Sequence, residues 1–342
     1  MLSFQNDYSE GAHPDILKRL VETNLVQQVG YGEDEYSRMA AQKICHACNA
    51  PENTQVVFIS GGTQVNVTAI ASMLQPWEGT VCAETGHIHA HEAGAIEFTG
   101  HKCLTVPQKE GKLCAGDVES LCKRFYGDDS HTHMVFPGLV YISQPTEYGT
   151  LYSLSELTEL RKVCDRYGMR LYADGARLGY ALMSDKNDVS LAHLASLCDA
   201  FTIGGTKVGA LCGEALVFAP EKMPEHFITL TKQRGAMMAK GRLCGVQFDT
   251  LFTDGLYEKC GKNGIRQAMR LREALISKGY MLYIDSWTNQ QFVLLDREKY
   301  DWLNGKVLFS VWEKPDEEHT VIRLATSWAT TDEMMDELIG LL

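Results

Sequence analysis

Positive charge is scarce in this chain of 342 residues, which carries 32 lysines and arginines against 44 aspartates and glutamates. The formal net charge is therefore −12, whereas proteins that bind phosphate backbones usually have a basic excess. Long apolar segments are also missing, because no run approaches the roughly 20 residues of a membrane-spanning helix. The composition predicts no nucleic-acid partner and no membrane partner, and it leaves small anionic ligands open.

The N-terminus lacks a basic flank followed by an apolar core, so no secretory signal is expected. Eleven cysteines are an odd number, and most lie singly in apolar stretches, as do Cys82, Cys164 and Cys198. This usage is typical of a reducing compartment, where cysteine packs as a small hydrophobic residue. We therefore expect a cytoplasmic protein.

Long linkers, low-complexity stretches and repeats are absent as well, and short β-rich runs alternate with helical patterns. Seven strands are predicted, at residues 56–59, 81–83, 104–106, 139–142, 170–173, 200–203 and 215–218. One intervening helix is well marked, with Ser153 and Glu156 at capping-box spacing and Gly168 at its end. The alternation predicts an α/β domain over residues 1–240, with a mainly parallel sheet covered on both faces.

The pattern changes after about residue 240. A long helical pattern ends at Gly279, and strands are predicted at residues 292–295 and 321–324. A terminal helix is predicted from Thr330, with Glu333 again at capping-box spacing. These elements predict a smaller α+β domain over residues 241–342.

Ligands of open α/β sheets bind beyond the carboxyl ends of the strands, so the turns there are the places to search. The first of these turns contains Gly61, Gly62 and Thr63 and opens a helix. It could hold an anion on free N–H groups, although a plain helix start explains it equally well.

Asp174 ends the strand at 170–173, where a buried carboxylate needs a cationic partner such as a protonated ring nitrogen. Capping of the next helix is the alternative role of this aspartate.

Lys207 follows the strand at 200–203 and is flanked by Val208 and Gly209. Burial among such residues would lower the lysine pKa, as an amine that forms a Schiff base requires. An ordinary surface lysine after a turn is the alternative interpretation.

Three histidines, His87, His89 and His91, follow the strand at 81–83. In an extended chain they would share one face and suggest a metal site, whereas in a helix they diverge. No other ligand cluster supports a metal, and we predict none. Cys45 and Cys48 lie in a helical stretch, so packing is favoured over redox or zinc chemistry.

The order of these features fits the requirements of pyridoxal phosphate: an anion loop, a flat side chain in a turn, a strand-end aspartate and then a lysine. The chain also resembles the threonine aldolase and β-eliminating lyase group of fold-type-I pyridoxal phosphate enzymes, over nearly its whole length. The parts that carry the resemblance are residues 29–34, 174–177 and 322–324, with Gly62, Thr63, Asn66, His87, Glu92 and Lys207. The resemblance implies a pyridoxal phosphate transferase-like large domain with a seven-stranded sheet.

The resemblance also implies roles for the residues that meet the cofactor. Lys207 would form the Schiff base, Asp174 would pair with the ring nitrogen, and His87 would stack on the ring. Gly62 and Thr63 would hold the phosphate.

Further residues are implied to bind the substrate or to act between subunits. Arg177, which also lies at the cofactor, and Arg323 would bind the amino-acid carboxylate, helped by Asn6. Tyr31 would line the site, and Arg242 would reach a phosphate in a neighbouring subunit. The enzymes of this group build shared active sites in homodimers or homotetramers.

The sequence departs from the family pattern where the substrate side chain would bind. Thr146 stands where family members commonly have a histidine that meets the substrate hydroxyl, and Asn6 stands where a serine is frequent. His89 and His91 replace bulkier apolar or aromatic residues. The residues expected to bind the cofactor are all retained.

The expected activity is cleavage of the Cα–Cβ bond of a β-hydroxy amino acid, giving glycine and acetaldehyde from L-threonine or L-allo-threonine. In this interpretation the substrate displaces Lys207, and His87 or a water that it holds takes the hydroxyl proton. The main alternative is a β-eliminating lyase, or another amino-acid lyase, with the same cofactor. Less favoured are a non-catalytic cofactor-binding protein and a metal hydrolase built on the three histidines.

Overall fold

The computed structural model describes residues 2–51 and 53–342. The strands are β1 (Leu2–Ser3), β2 (Gln55–Ile59), β3 (Glu78–Ala83), β4 (Cys103–Val106), β5 (Phe136–Ser143), β6 (Arg170–Asp174), β7 (Ala200–Gly204), β8 (Glu214–Phe218), β9 (Met281–Leu282), β10 (Gln290–Asp296), β11 (Val307–Leu308), β12 (Ser310–Glu313) and β13 (His319–Ala325). The helices are α1 (Pro14–Thr23), α2 (Glu35–Ala47), α3 (Gly62–Met73), α4 (His87–Ala90), α5 (Ala115–Tyr126), α6 (Leu154–Tyr167), α7 (Leu178–Leu182), α8 (Leu191–Leu197), α9 (Phe227–Gln233), α10 (Arg242–Leu251), α11 (Leu256–Ser277), α12 (Arg297–Leu303) and α13 (Asp332–Leu341).

The large sheet has seven strands in the order β2-β8-β7-β6-β5-β3-β4. Its pairs from β7 to β4 are parallel, and β8 runs antiparallel to both of its neighbours. Separate apolar clusters cover its two faces, because successive strand residues point to opposite sides. The expected α/β architecture and all seven predicted strands are confirmed.

The predicted capping signals differ in how well they locate helix ends. In α6, Ser153 accepts a hydrogen bond from the Glu156 N–H in a complete capping box, and Gly168 ends the helix with φ at 67°. The terminal helix begins one residue later than predicted, because Thr331 is its N-cap. The hydroxyl of Thr330 instead accepts a hydrogen bond from the Ser327 N–H.

The smaller sheet is antiparallel, in the order β12-β13-β10-β9, and it includes both strands predicted after residue 240. The start of the chain joins this part of the molecule, since β1 pairs with β11 and Phe4 belongs to its apolar cluster. In contrast, Phe248 and Ile265 pack in the core of the large sheet. The division at residue 240 stays a proposal about how the chain is organised.

Two close backbone approaches bring β6 and β7 together at the edge where the site lies. A Cβ on Gly175 would lie 2.0 Å from the carbonyl oxygen of Thr202, and a Cβ on Gly204 would lie 2.3 Å from that of Ala176. Only glycine avoids these overlaps. The turns that follow the two strands therefore lie directly beside each other.

The eleven cysteines are free thiols in the part of the chain that is described. Cys45 lies in α2 and Cys48 caps it, in agreement with the predicted helix. No helix among the described residues is long and apolar enough to span a membrane.

Candidate active site

A cleft of about 380 Å³ opens at the carboxyl ends of β5, β6 and β7, beside the N-terminus of α3. It is lined by Gly62, Asn66, His87, Ser143, Pro145, Glu147, Asp174, Ala176, Arg177 and Lys207. Five parallel strands, β3 to β7, point their carboxyl ends toward this edge, which is why residues from distant parts of the sequence meet there.

Asp174 is the last residue of β6 and is buried. Its Oδ2 accepts hydrogen bonds from Asn66 Nδ2 and from the Tyr141 hydroxyl, both at 2.8 Å, and its Oδ1 accepts one from the Ala176 N–H at 2.9 Å. Burial alone would raise the pKa of Asp174, but the charge of His87 and these donors hold it below its usual value. The carboxylate therefore stays ionised in a buried place.

His87 begins α4 after a turn and is fixed by a second buried carboxylate. Its Nδ1 lies 2.7 Å from Glu92 Oε1, whose side chain has no exposed surface. Burial opposes the charged imidazolium, yet Glu92 and Asp174 raise the pKa of His87 above its usual value. Asn66 also donates to Glu92 Oε1 at 2.8 Å, so it joins the two carboxylates.

Lys207 lies in the turn after β7, and Tyr180 fixes its backbone by donating to its carbonyl oxygen at 2.6 Å. Its Nζ lies 6.0 Å from the centre of the Tyr8 ring. Burial and the charge of Arg177 lower the pKa of Lys207, while Asp7 and Asp174 partly oppose the shift. The amine is thus easier to deprotonate than a surface lysine.

Gly62 lines the cleft at the start of α3, and Thr63 follows it with an exposed side chain. The N-cap residue Gly61 has no side chain to accept from the first turn of the helix. A Cβ placed on Gly61 or Gly62 would meet no atom within 4 Å, so the space beside these two residues is open, and Gly62 lines the cleft. This helix start is suited to bind an anion.

Arg177 is held in the cleft by Asp7 from the N-terminal segment. Its Nε and Nη2 donate to the two oxygens of Asp7 at 2.7 and 3.0 Å, and Asn289 donates to the same carboxylate at 2.9 Å. Burial opposes its charge, but Asp7 raises the pKa of Arg177. The guanidinium is therefore a fixed, buried cation.

Arg323 lies on β13, and its hydrogen-bond partners among the described residues are neutral: Gln290 Oε1, the Gln5 carbonyl oxygen and the Ser310 hydroxyl, at 3.0 to 3.2 Å. Its Nε is buried without an acceptor among the described residues. Burial and repulsion by Arg177 lower its pKa to about 10. A buried cation beside another and without a carboxylate partner is an arrangement that an anionic ligand completes.

The structure brings most of the predicted site residues together and places three elsewhere. The Oδ1 of Asn6 accepts from the Tyr8 N–H and the Ser9 hydroxyl in a local turn. Tyr31 is half exposed in a different groove, where Lys232 Nζ lies 4.3 Å from its ring. Arg242 donates to the Val26 and Thr23 carbonyl oxygens and faces the Tyr36 ring.

Sequence reasoning missed Glu147. The hydroxyl of Thr146 lies 2.7 Å from that of Thr150, away from the cleft, whereas Glu147 lines it. The Ser143 hydroxyl donates to Glu147 Oε1 at 2.6 Å, and the His87 N–H donates to the same atom at 3.1 Å. The sequence did contain a signal for this site residue, because an acidic residue follows Thr146 directly in the turn after a predicted strand.

The three neighbouring histidines do not converge on one point. His89 Nδ1 or Nε2 lies within 4.8 Å of ligand atoms of Glu97 and Cys103. His91 instead faces the rings of His87 and Trp312, with centroids 5.7 and 5.9 Å away. The three histidines therefore do not have the arrangement around one point that a metal hydrolase site built on them would need.

A mostly parallel α/β sheet with an aspartate at the end of one strand and a lysine in the turn after the adjacent strand is the arrangement of the fold-type-I class of pyridoxal phosphate enzymes. Comparison with known proteins narrows this class. The sequence model of the β-eliminating lyase family matches residues 11–288, and the chain belongs to this family of lyases.

Two relatives and one more distant structure illustrate the similarity. A low-specificity L-threonine aldolase from a Pseudomonas species is 30% identical over 257 residues, which cover 74% of this chain and 72% of that protein. The structure of a threonine aldolase from Leishmania major has a TM-score of 0.95 and 41% identity, with 100% and 98% of the chains covered. Cystalysin from Treponema denticola, whose structure contains pyridoxal 5'-phosphate, is 12% identical at a TM-score of 0.75, covers 100% and 90%, and shares the fold alone.

Proposed function

We propose that the protein is a pyridoxal phosphate-dependent aldolase that cleaves L-threonine or L-allo-threonine into glycine and acetaldehyde. The observation that carries the proposal is the pair of buried guanidinium groups, Arg177 and Arg323, beside a cleft that contains Lys207 and Asp174. These groups together suit an α-amino acid. The relatives described as threonine aldolases support the choice of substrate.

The residues of the cleft fit the cofactor. Asp174 offers a buried anion to a protonated ring nitrogen, and the open helix start at Gly62 and Thr63 offers N–H groups to a phosphate. Lys207, with its lowered pKa, is the amine that would attach the aldehyde. When bound, pyridoxal phosphate supplies an electron sink for the bond that breaks.

The chain's own residues orient the substrate and hold protons. Arg177 and Arg323 bind the substrate carboxylate from two sides, which fixes the direction of the bonds at Cα. His87 would pack on the cofactor ring, and the Glu92 carboxylate 2.7 Å from its Nδ1 favours a proton on that nitrogen. Lys207 would be able to accept or donate a proton as a neutral amine, because burial and the charge of Arg177 disfavour its ammonium form.

We assign Arg242 to the phosphate of a neighbouring subunit in a homodimer or homotetramer, Tyr31 to the lining of such a shared site, and Asn6 to the binding of the substrate carboxylate. Tyr31 and Arg242 lie outside the cleft of their own protomer. They could contact a cofactor only if that cofactor were bound by a neighbouring subunit. Asn6 adjoins Asp7, the partner of Arg177. The free thiols support a reducing, cytoplasmic location.

The proposal is tested by the visible absorption of the purified protein with pyridoxal phosphate, before and after borohydride reduction. We expect a yellow protein whose reduced adduct maps to Lys207, with the adduct lost in Lys207→Ala and kept in Lys162→Ala, an exposed lysine on α6. A colourless protein, or an unaltered spectrum in Lys207→Ala, would overturn the cofactor assignment.

The substrate is then tested with L-threonine, L-allo-threonine and a β-chloro amino acid. Glycine with acetaldehyde identifies the aldolase, and pyruvate with ammonia identifies β-elimination. A yellow protein that converts none of them is a non-catalytic cofactor-binding protein.

A further inference from the structure

Glu147 is the acidic side chain of the cleft to which the cofactor and carboxylate contacts assign no role. It lies in the turn after β5, and its side chain is buried against the cleft wall. Its Oε1 accepts two hydrogen bonds, from the Ser143 hydroxyl at 2.6 Å and from the His87 N–H at 3.1 Å. Both of these bonds from other residues of the described ranges go to Oε1. The backbone N–H of Glu147 itself also donates to the carboxylate, and Oε2 is the oxygen that no neighbouring described residue engages.

The position of Glu147 is fixed relative to Asp174 by a chain of hydroxyl groups. The Tyr141 hydroxyl donates to Asp174 Oδ2 at 2.8 Å and lies 3.1 Å from the Ser143 hydroxyl. Ser143 in turn donates to Glu147. A proton acceptor must be held at a constant distance from the reacting atoms, and this chain provides such a constraint.

The other candidate base, His87, is less suited to accept a proton. Its Nδ1 is already engaged by Glu92, and the charges of Glu92 and Asp174 favour its protonated form. An imidazolium donates protons but cannot take one. Glu147, in contrast, lines the same cleft with an oxygen that no neighbouring described residue engages, and burial raises the pKa of its carboxyl, which makes it a stronger base.

We propose that Glu147 is the catalytic base that accepts the proton of the substrate β-hydroxyl. The inference rests on the proposed aldolase function. The hydroxyl O–H bond breaks and its proton passes to Oε2 of Glu147, while the Cα–Cβ bond breaks and a carbonyl forms on the aldehyde. The electron pair of the broken bond stays on the Cα side. One proton is lost from the hydroxyl, and one proton must be added at Cα to form glycine. The two changes cancel, so the reaction needs no further co-reactant.

The assignment also accounts for the departure from the family pattern at this turn. Thr146, which stands in the place of a histidine, has its hydroxyl against Thr150 and cannot meet a substrate. The next residue supplies a carboxylate to the cleft instead. The chemistry of the missing histidine is thus available one position later in the chain.

The test compares Glu147→Gln, Glu147→Asp and the control Glu159→Gln, an exposed glutamate on α6. Four quantities are measured: kcat and KM for L-threonine cleavage, the rate of exchange of the glycine α-hydrogen in D2O, and the Kd of glycine by calorimetry. Glycine has no hydroxyl, so its exchange and its binding need every site residue except the hydroxyl base. The thermal unfolding midpoint checks that each variant is folded.

We expect Glu147→Gln to lose at least 100-fold in kcat for threonine, since positioned acid–base groups contribute about 10²- to 10⁴-fold. Its KM, its glycine exchange and its glycine Kd should stay within about threefold of the wild type. Glu147→Asp should recover part of the loss, and Glu159→Gln should match the wild type.

Two results would overturn the assignment: threonine cleavage by Glu147→Gln within threefold of the wild type, or a parallel fall in glycine exchange, which would make Glu147 a positioning residue only. A wild-type protein that binds glycine but does not cleave any β-hydroxy amino acid would refute the proposed function itself.

Discussion

Asp7 and Arg177 form a buried ion pair, and the loss in the free energy of unfolding when one partner is removed can be predicted. The side chain of Asp7 has no exposed surface, that of Arg177 is 12% exposed, and two hydrogen bonds of 2.7 and 3.0 Å join them. Asp7→Ala would leave the guanidinium buried without a counter-charge and Asn289 without an acceptor. Breaking one side of a buried pair costs about 3–5 kcal/mol, so we expect the free energy of unfolding to fall by that amount at pH 7.

Two further variants calibrate this value. Asp7→Asn keeps the shape and one acceptor oxygen, so its loss should be about half as large. Asp301→Ala removes an exposed aspartate that lies 3.8 Å from Arg297, and it should change the stability by less than about 0.5 kcal/mol. Urea unfolding followed by fluorescence and circular dichroism measures all three variants against the wild type.

The pH dependence of the difference follows from the direction of the pKa shift. Burial would raise the pKa of Asp7, but Arg177, Lys207 and the hydrogen bonds lower it below its usual value. A lowered folded-state pKa stabilises the protein above the unfolded pKa of about 3.9, and this contribution is lost as the pH falls below it. The difference between wild type and Asp7→Asn should therefore be constant above about pH 5 and shrink as the pH falls below about 4. A loss below 1 kcal/mol in Asp7→Ala at pH 7 would refute the reasoning.

Three more predictions concern single buried or half-buried groups. Arg323→Gln should raise KM for the amino acid by roughly 10- to 150-fold, because about 1.5–3 kcal/mol of charge-assisted hydrogen bonding is lost, with cofactor absorbance unchanged. Glu214 is buried, which raises its pKa to about 8 although Lys207 opposes the shift, and its Oε2 has no partner within the described ranges. Since the folded state keeps a proton that the unfolded state loses above about pH 4.3, the wild type should lose stability toward pH 8. Glu214→Gln should remove this slope in urea unfolding. Arg242→Ala should cost about 2 kcal/mol and speed proteolysis near Val26, since two carbonyl oxygens lose their donor.

The strands could be predicted because their sequences are short β-rich runs that end at turn residues. The β5 prediction at 139–142 falls inside the observed Phe136–Ser143, and that at 170–173 lacks only Asp174 of β6. The ends of helices are harder to predict, because neighbouring side chains compete to cap the same helix. At the last helix, Thr330 and Thr331 are equally good caps in sequence, but Thr330 is used by Ser327.

Site residues at the ends of parallel strands could be predicted, whereas their partners from other elements could not. Asp174 and Lys207 stand in strand-end turns that a sheet brings together. Asp7 meets Arg177 from 170 residues away, and no local pattern marks that pairing. Thr146 and Glu147 are neighbours in one turn, and only the backbone geometry decides which of them faces the cleft.

Asp174 and Glu147 show how two carboxyl groups in one cleft acquire different proton affinities. Both are buried, and burial raises the pKa of each. Asp174 accepts hydrogen bonds at both oxygens and lies near His87, and these groups together outweigh the desolvation. In the described ranges Glu147 accepts hydrogen bonds from other residues at Oε1 alone, and desolvation outweighs these bonds and that from its own N–H, so its pKa is raised. The donors on α3 and β5, rather than the carboxylates themselves, therefore separate a permanent anion from a base that can take and release a proton.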